Sequence, residues 1–235
     1  MNPLTIALPK GRLLEPAAGL FRRLGWPCDL GNGSRHLLVT ETRGRDGGGQ
    51  ALRFLLVKPA DVPVYVEYGA ADAGIVGQDA LWESGRDVYE PLHLGFGRCR
   101  LVLAGKPSQR DRNFRLAAGL RVATQYPRQA RAYFQDRGLS AEVIPLSGSV
   151  ELAPLVGLAD LLVDVVETGR TLRDNGLVEL ETIAASQATF IVNRVSHRLR
   201  LAEIRQLMAE LEALAQTAVV GEHLSPPDPR PGGGS

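Results

Sequence analysis

Apolar residues in this chain fall in short dense runs separated by longer stretches with helical spacing. That alternation predicts an α/β protein, with mostly parallel buried strands and helices laid over them. Strands are expected at LTIAL (4–8), AGIVG (73–77), RCRLVLAG (98–105), GLRVATQ (119–125), AEVIPL (141–146), the apolar run from Leu162, LVELETIAAS (177–186) and ATFIVN (188–193). HLLVTET and ALRFLLV flank the turn RGRDGGGQ and read as a hairpin.

Helices are expected from about Arg12 to Leu24, at ADVPVYVEYG with Pro63 in the first turn, at DALWESG, and at SVELAPLVGL. PRQARAYFQDRG has proline at its start and glycine at its end, the usual asymmetry of a helix. A single long helix is predicted from Ser196 to about Val219. Its stripe of Leu201, Ile204, Leu207, Met208, Leu211, Leu214 and Ala218 suits packing or a subunit interface. The elements group into two α/β halves, 1–92 and 93–184, with 185–222 returning to the first. Two connections between halves leave a cleft, the usual place for a ligand. The Pro/Gly-rich end, 223–235, is expected to be disordered.

Composition narrows the function classes. With 27 Lys and Arg against 26 Asp and Glu, the 235-residue chain lacks the positive charge a nucleic-acid binder needs. The basic residues clustered at 98–115 read as a solvated face. Cys28 and Cys99 have no metal spacing and are expected as free thiols, and the four histidines show no metal spacing either. No export signal and no run of about 20 apolar residues is evident, so a cytoplasmic protein without a membrane span is expected.

One stretch asks for an explanation: LVDVVETGRTLRDNGL, from Leu162 to Leu177. It places Asp164 in an apolar strand, a costly position for a carboxylate without a partner. A turn through Thr168, Gly169, Arg170 and Thr171 into a helix start follows. Hydroxyls, a permissive glycine and unpaired N–H groups suit a phosphate monoester, with Asp164 placed to accept hydrogen bonds from a ribose diol. The residues alone leave a second reading equally open, in which Thr168 caps a helix and Asp164 pairs with an arginine.

VDVVETGRT resembles the phosphoribosyl-pyrophosphate motif of phosphoribosyltransferases, with Val163 where the common version has a second acid. LPKGRL (8–13), ADVPVYVEYGAADAGIVGQDAL (60–81) and GSVELAPLVGLADLLVDVVETGRTLRDNGL (148–177) together resemble the ATP phosphoribosyltransferases of histidine biosynthesis, in their short form. The resemblance implies a two-lobed fold like that of type II periplasmic binding proteins. It implies transfer of phosphoribosyl to N1 of the adenine of ATP, with Mg²⁺ carried on the diphosphate. It also implies a homodimer core within a hetero-oligomer that includes a regulatory subunit similar to histidyl-tRNA synthetase.

Carried onto this sequence, the resemblance assigns the phosphoribosyl-pyrophosphate grip to Asp164, Glu167, Thr168, Gly169, Arg170 and Thr171. It assigns polyphosphate contact and catalysis to Lys10, Arg53 and Lys58, with Arg35 reaching a phosphate across a dimer interface. ATP contact falls to Gly11, Arg12, Gly77, Asp79 and Glu151, with turn and capping roles open for Gly77, Asp79 and Glu151. Gln125 in ATQYP stands where the family pattern has lysine. The rivals are a phosphoribosyltransferase for another base and a non-catalytic solute-binding protein of the same fold.

Overall fold

The computed structural model of the chain describes residues 2–28, 30, 37–42, 51–116 and 119–222. The hairpin turn at 43–50, Arg35 and the tail 223–235 lie outside the described residues. In chain order the elements are β1 (Leu4–Pro9), α1 (Leu14–Arg23), β2 (Leu38–Thr42), β3 (Ala51–Val57), α2 (Val62–Glu67), β4 (Ala73–Gly77), α3 (Gln78–Ser84) and β5 (Tyr89–His93). Then come β6 (Cys99–Gly105), β7 (Leu120–Thr124), α4 (Pro127–Asp136), β8 (Ala141–Pro145), α5 (Leu152–Val156), β9 (Leu161–Val166), α6 (Arg170–Asp174), β10 (Val178–Ser186), β11 (Ala188–Val192), α7 (Arg194–Leu199) and α8 (Leu201–Glu222).

Two sheets result, one ordered β2-β3-β1-β4-β11-β5 and the other β10-β6-β9-β7-β8. The expected predominance of parallel strands does not hold. Parallel pairing is confined to β3-β1-β4 in one sheet and β9-β7-β8 in the other. The other pairs are antiparallel, because β11 and β6 run back against their parallel trios and β2 folds onto β3 as a hairpin. β5, which the pattern did not announce, is a half-exposed edge strand. Pro91 is tolerated there because an edge strand has one unpaired side.

Each sheet carries its own core. Phe21 of α1 packs edge-on against Phe54 of β3, ring centroids 4.8 Å apart, and against Trp26 at 6.2 Å. α2 settles on β4 at Gly74, where an added Cβ would stand 2.9 Å from Val62 Cγ1 and 3.1 Å from Val66 Cγ2. In the second sheet Leu161, Leu162 and Val163 of the central β9 are fully buried. The chain passes between sheets at 94–98 and at Gln187. The two passages lie side by side, with Leu94 N donating to Ala188 O and Ala188 N donating to Phe96 O, both at 2.9 Å. Cys28 and Cys99 are buried and unbridged. No helix among the described residues is long and apolar enough to cross a membrane.

The long final helix is broken at Arg200, which leaves helical geometry at φ −121°, ψ 34°. The cause is a tertiary tether. Arg200 donates to Asp72 at 3.1 Å, to the carbonyls of Asn2 and Pro3, and to both oxygens of Glu203. Asp72 in turn accepts from Thr5 N and Ser196 Oγ, each at 2.8 Å. Arg200 and Asp72 are largely buried, so removing one partner strands the other charge. Arg200→Ala should cost about 3 kcal/mol, read as a lower urea midpoint with an unchanged slope; a midpoint within error of wild type would show the tether to be idle.

Candidate active site

The registers bring the carboxyl ends of both parallel trios to one cleft. Pro9 pairs with Val57 across β1 and β3, so Lys10 and Lys58 follow side by side, and Lys10 N donates to Val57 O at 2.8 Å. Ala7 pairs with Gly74, which sets Gly77 at the same rim. In the other sheet Thr124 pairs with Val163 and with Pro145, so Gln125, Leu146 and Asp164 share a rim. Ligands in such sheets sit at this edge. A cavity of about 750 Å³ lies between the rims, lined by Lys10, Arg12, Lys58, Gly77, Asp79, Gln125, Tyr126 and Asp164 among others. A side pocket of about 430 Å³ adjoins it at Glu151, Asp164 and the loop 167–171.

Asp164 is the anomaly at its floor. Its hydrogen bond is to the N–H of its own neighbour, Val165, at 2.8 Å, and among the described residues it makes no ion pair. Burial pushes its carboxyl up to about 6, opposed by the Val165 bond and reinforced by repulsion from Glu151 and Asp79. No arginine among the described residues neutralises Asp164.

The loop after it is built for openness. Gly169 sits at φ 71°, ψ 9°, a left-handed conformation that disfavours side chains. An added Cβ would stand 2.9 Å from both Arg173 Nη1 and Glu179 Oε1. Beneath it Arg100 grips Glu179 through two contacts of 2.9 and 3.0 Å, and Arg173 donates to Thr168 O at 2.9 Å. These bonds fix the loop from below and leave Thr168 and Thr171 exposed. Thr168 Oγ1 accepts only a long 3.4 Å contact from Arg170 N, a weak cap. Arg170 points to solvent and pairs with Asp174 at 3.3 Å.

The remaining residues singled out in the sequence divide. Gly11 turns at φ 88°, which presents Lys10 and Arg12 to the cleft. Arg12 spans it, ion-paired with Glu167 and within 3.8 Å of Cys99 Sγ. Lys10 and Lys58 make no ion pair among the described residues. Glu151 stands at the start of α5 without capping it and lines the side pocket. Gly77 admits Asp79, whose oxygens would meet a Cβ there. Arg53 lies in the middle of β3, several residues below the rim, and is not brought together with the others. Arg35 lies outside the described residues.

Two members of the site escaped the sequence. Tyr126 donates its hydroxyl to Asp79 Oδ2 at 3.1 Å, and burial together with Asp79 and Asp164 drives its own ionisation well above the usual range. Ser186 holds the other oxygen of Asp79 at 2.7 Å. The only local signal was an aromatic residue just before a helix-opening proline.

The architecture, two sheets on two adjacent crossings with a cleft between, is that of the type II periplasmic binding proteins. The fold is shared with the aliphatic sulphonate binding protein SsuA of Escherichia coli, with a TM-score of 0.58 at 12% identity over 95% of this chain and 76% of that one. It is shared equally with Tv2483 bound to L-arginine, at 0.58 and 13% identity over 94% and 86%.

Within that fold the chain belongs to the ATP phosphoribosyltransferase family, whose model matches residues 58–213. It is 46% identical over 212 residues to the enzyme of Caldanaerobacter subterraneus, covering 90% of this chain and 97% of that one. It is 49% identical over 212 residues to that of Sorangium cellulosum, covering 90% and 96%. A solved ATP phosphoribosyl transferase (HisG:HisZ) complex from Thermotoga maritima superposes with a TM-score of 0.74 at 33% identity, over 91% of this chain and 99% of that one.

Asp164 carries a testable cost. The folded protein keeps its carboxyl protonated to a higher pH than the unfolded chain does, so its contribution to stability falls as pH rises from about 4 to about 6. Above that window the penalty is complete, about 3 kcal/mol. Asp164→Asn should therefore raise the stability of the free protein at pH 8 by about 2–3 kcal/mol and leave it nearly unchanged at pH 4. Urea titrations at the two pH values decide; a variant less stable at both would mean that the carboxylate is needed by the fold.

Proposed function

We propose that this chain transfers the 5-phosphoribosyl group of phosphoribosyl pyrophosphate to N1 of the adenine of ATP, releasing pyrophosphate. That is the first step of histidine biosynthesis. The observation that carries the reading is the uncompensated Asp164, set beside an open glycine-turned loop and across a cleft from Lys10 and Lys58, in a chain of this family. A neutral N1 already carries a lone pair, so little work falls to a general base. The barrier is cleavage of the C1–O bond with oxocarbenium character at C1. Positioning and neutralisation of the leaving diphosphate are therefore what the protein must supply.

In this reading Asp164 accepts from the ribose diol, and the hydroxyls and N–H groups of 168–171 hold the 5-phosphate. Glu167, paired with Arg12 in the free protein, turns away when substrate claims Arg12. Lys10 and Lys58 take the diphosphate as point charges, joined by Arg35, while Arg53, mid-strand, stays out of reach of it. Gly11, Arg12, Gly77, Asp79 and Glu151 bound the space for ATP. Among the described residues no cluster of His, Cys, Asp or Glu holds a metal by itself. Magnesium fits as a passenger of the diphosphate, with Asp164 and Glu167 offering carboxylate oxygens nearby; bound, it spreads the charge of the leaving group.

Residues 1–92 with 185–222 act as one lobe and 93–184 as the other, with the substrates between them. We place the enzyme in the cytoplasm, as a dimer core that works with a regulatory subunit similar to histidyl-tRNA synthetase. The Thermotoga relative is itself solved as a two-component complex.

Pyrophosphate release should require ATP and phosphoribosyl pyrophosphate together and should fail with other bases in place of ATP. Asp164→Asn should raise the KM for phosphoribosyl pyrophosphate at least tenfold, as expected for loss of a charged hydrogen-bond acceptor. It should move the KM for ATP less than about threefold. Equal losses for both substrates, or turnover with another base, would contradict the assignment.

A further inference from the structure

The first turn of α4 is capped from the opposite lobe. Tyr126, at its N-cap, provides no side-chain acceptor, and Pro127 opens the helix. The free amides of Arg128 and Gln129 donate instead to Glu83 Oε1 at 2.9 Å and Oε2 at 3.0 Å. Glu83 is on α3, 45 and 46 residues away in sequence, and α3 belongs with the first sheet while α4 packs on β7 and β8 of the second. A carboxylate on the first-turn amides of a ten-residue helix gains from two hydrogen bonds and from the positive end of the dipole.

The contact is reciprocal and continuous. Asp79 and Glu83 are four residues apart on α3 and so share a face. Asp79 takes the Tyr126 hydroxyl while Glu83 takes the next two amides but one, so a single helix face grips residues 126–129 of the other lobe. At the end of α3 the chain turns through Gly85 at φ 59°. An added Cβ there would stand 2.6 Å from the guanidinium of Arg128, so the glycine keeps the approach open. Ser186, beside the crossing at Gln187, anchors Asp79 from behind.

We infer that Glu83 is a positioning residue that sets the width of the cleft. By clasping α4 it holds the lobe with Asp164 and the phosphate loop at working distance from the lobe with Lys10 and Lys58. Closure is thus largely settled before substrate arrives. Without the clasp, binding energy must close the cleft, and apparent affinity falls by the fraction of molecules that are closed.

The kinetic part of this inference rests on the phosphoribosyl-transfer reading; the structural part does not. In the full-length protein without substrates, amide exchange followed by NMR should show Arg128 and Gln129 protected. Glu83→Ala should speed both at least tenfold while the amides of β9 keep their wild-type rates. Its KM for ATP and for phosphoribosyl pyrophosphate should rise together, about tenfold, with kcat within twofold of wild type. Glu83→Gln, which retains one acceptor oxygen, should give a rise of about threefold in both and should release one amide. Wild-type amides at 128 and 129 that exchange freely would overturn the clasp. So would a Glu83→Ala enzyme with reduced kcat and unchanged KM values. If neither wild type nor variant turns over the two substrates, the reaction assigned above fails, and the exchange rates still decide the clasp.

Discussion

A half-buried carboxylate, with no counter-charge among the described residues, is the constraint on which this molecule turns. Asp164 sits on the central strand of its sheet, just after the fully buried Val163, where a neutral side chain would pack at no electrostatic cost. Only the N–H of Val165 among the described residues eases its charge, and two further acids, Glu151 and Asp79, make its ionisation harder. Such a position is sustained only if the rest of the fold is stable enough to carry it. The two sheets, the Phe21–Phe54–Trp26 cluster and the Arg200–Asp72 tether supply that reserve at a distance. The penalty is the counterpart of readiness, since a diol that donates two hydrogen bonds finds an acceptor not already satisfied.

Around that carboxylate, the two lobes divide the electrostatic work. One rim offers cations, Lys10 and Lys58, on the ends of neighbouring parallel strands; the other offers Asp164 and a loop of hydroxyls and amides. The loop is shaped from beneath by the Arg100–Glu179 ion pair and by Arg173 on the carbonyl of Thr168, so its upper surface stays free. Arg12 and Glu167 meet across the gap when no substrate is present, which keeps two opposite charges from standing alone. On the far side α3 holds α4 through Asp79 and Glu83. The cleft is thus bounded by an exchangeable ion pair at one end and a fixed set of hydrogen bonds at the other.

Much of this was legible in the chain because the signals were local. The strand-turn-helix at 162–177 announces itself through an acid in an apolar run and a glycine that must turn left-handed. The helices opened by Pro63 and Pro127 form where proline is tolerated. What stayed hidden depends on partners distant in sequence. Strand direction could not be read from burial, since β6 and β11 are as buried as the parallel strands yet run against them. β5 hides behind Pro91 and half-exposed residues. The break at Arg200 is invisible in a stripe that continues through it, because its cause is the N-terminal segment and Asp72. Tyr126 and Ser186 join the site, and Glu83 holds α4, through contacts spanning dozens of residues. Arg53 looked like a rim cation, but the register places it mid-strand.

The most direct measurement is a crystal structure of the protein with phosphoribosyl pyrophosphate and magnesium bound. The account requires the 5-phosphate in the loop 168–171, the 2- and 3-hydroxyls on Asp164, and the diphosphate turned toward Lys10 and Lys58. A complex with the sugar lodged elsewhere, and Asp164 still without a hydrogen-bond donor from it, would contradict the account at its root.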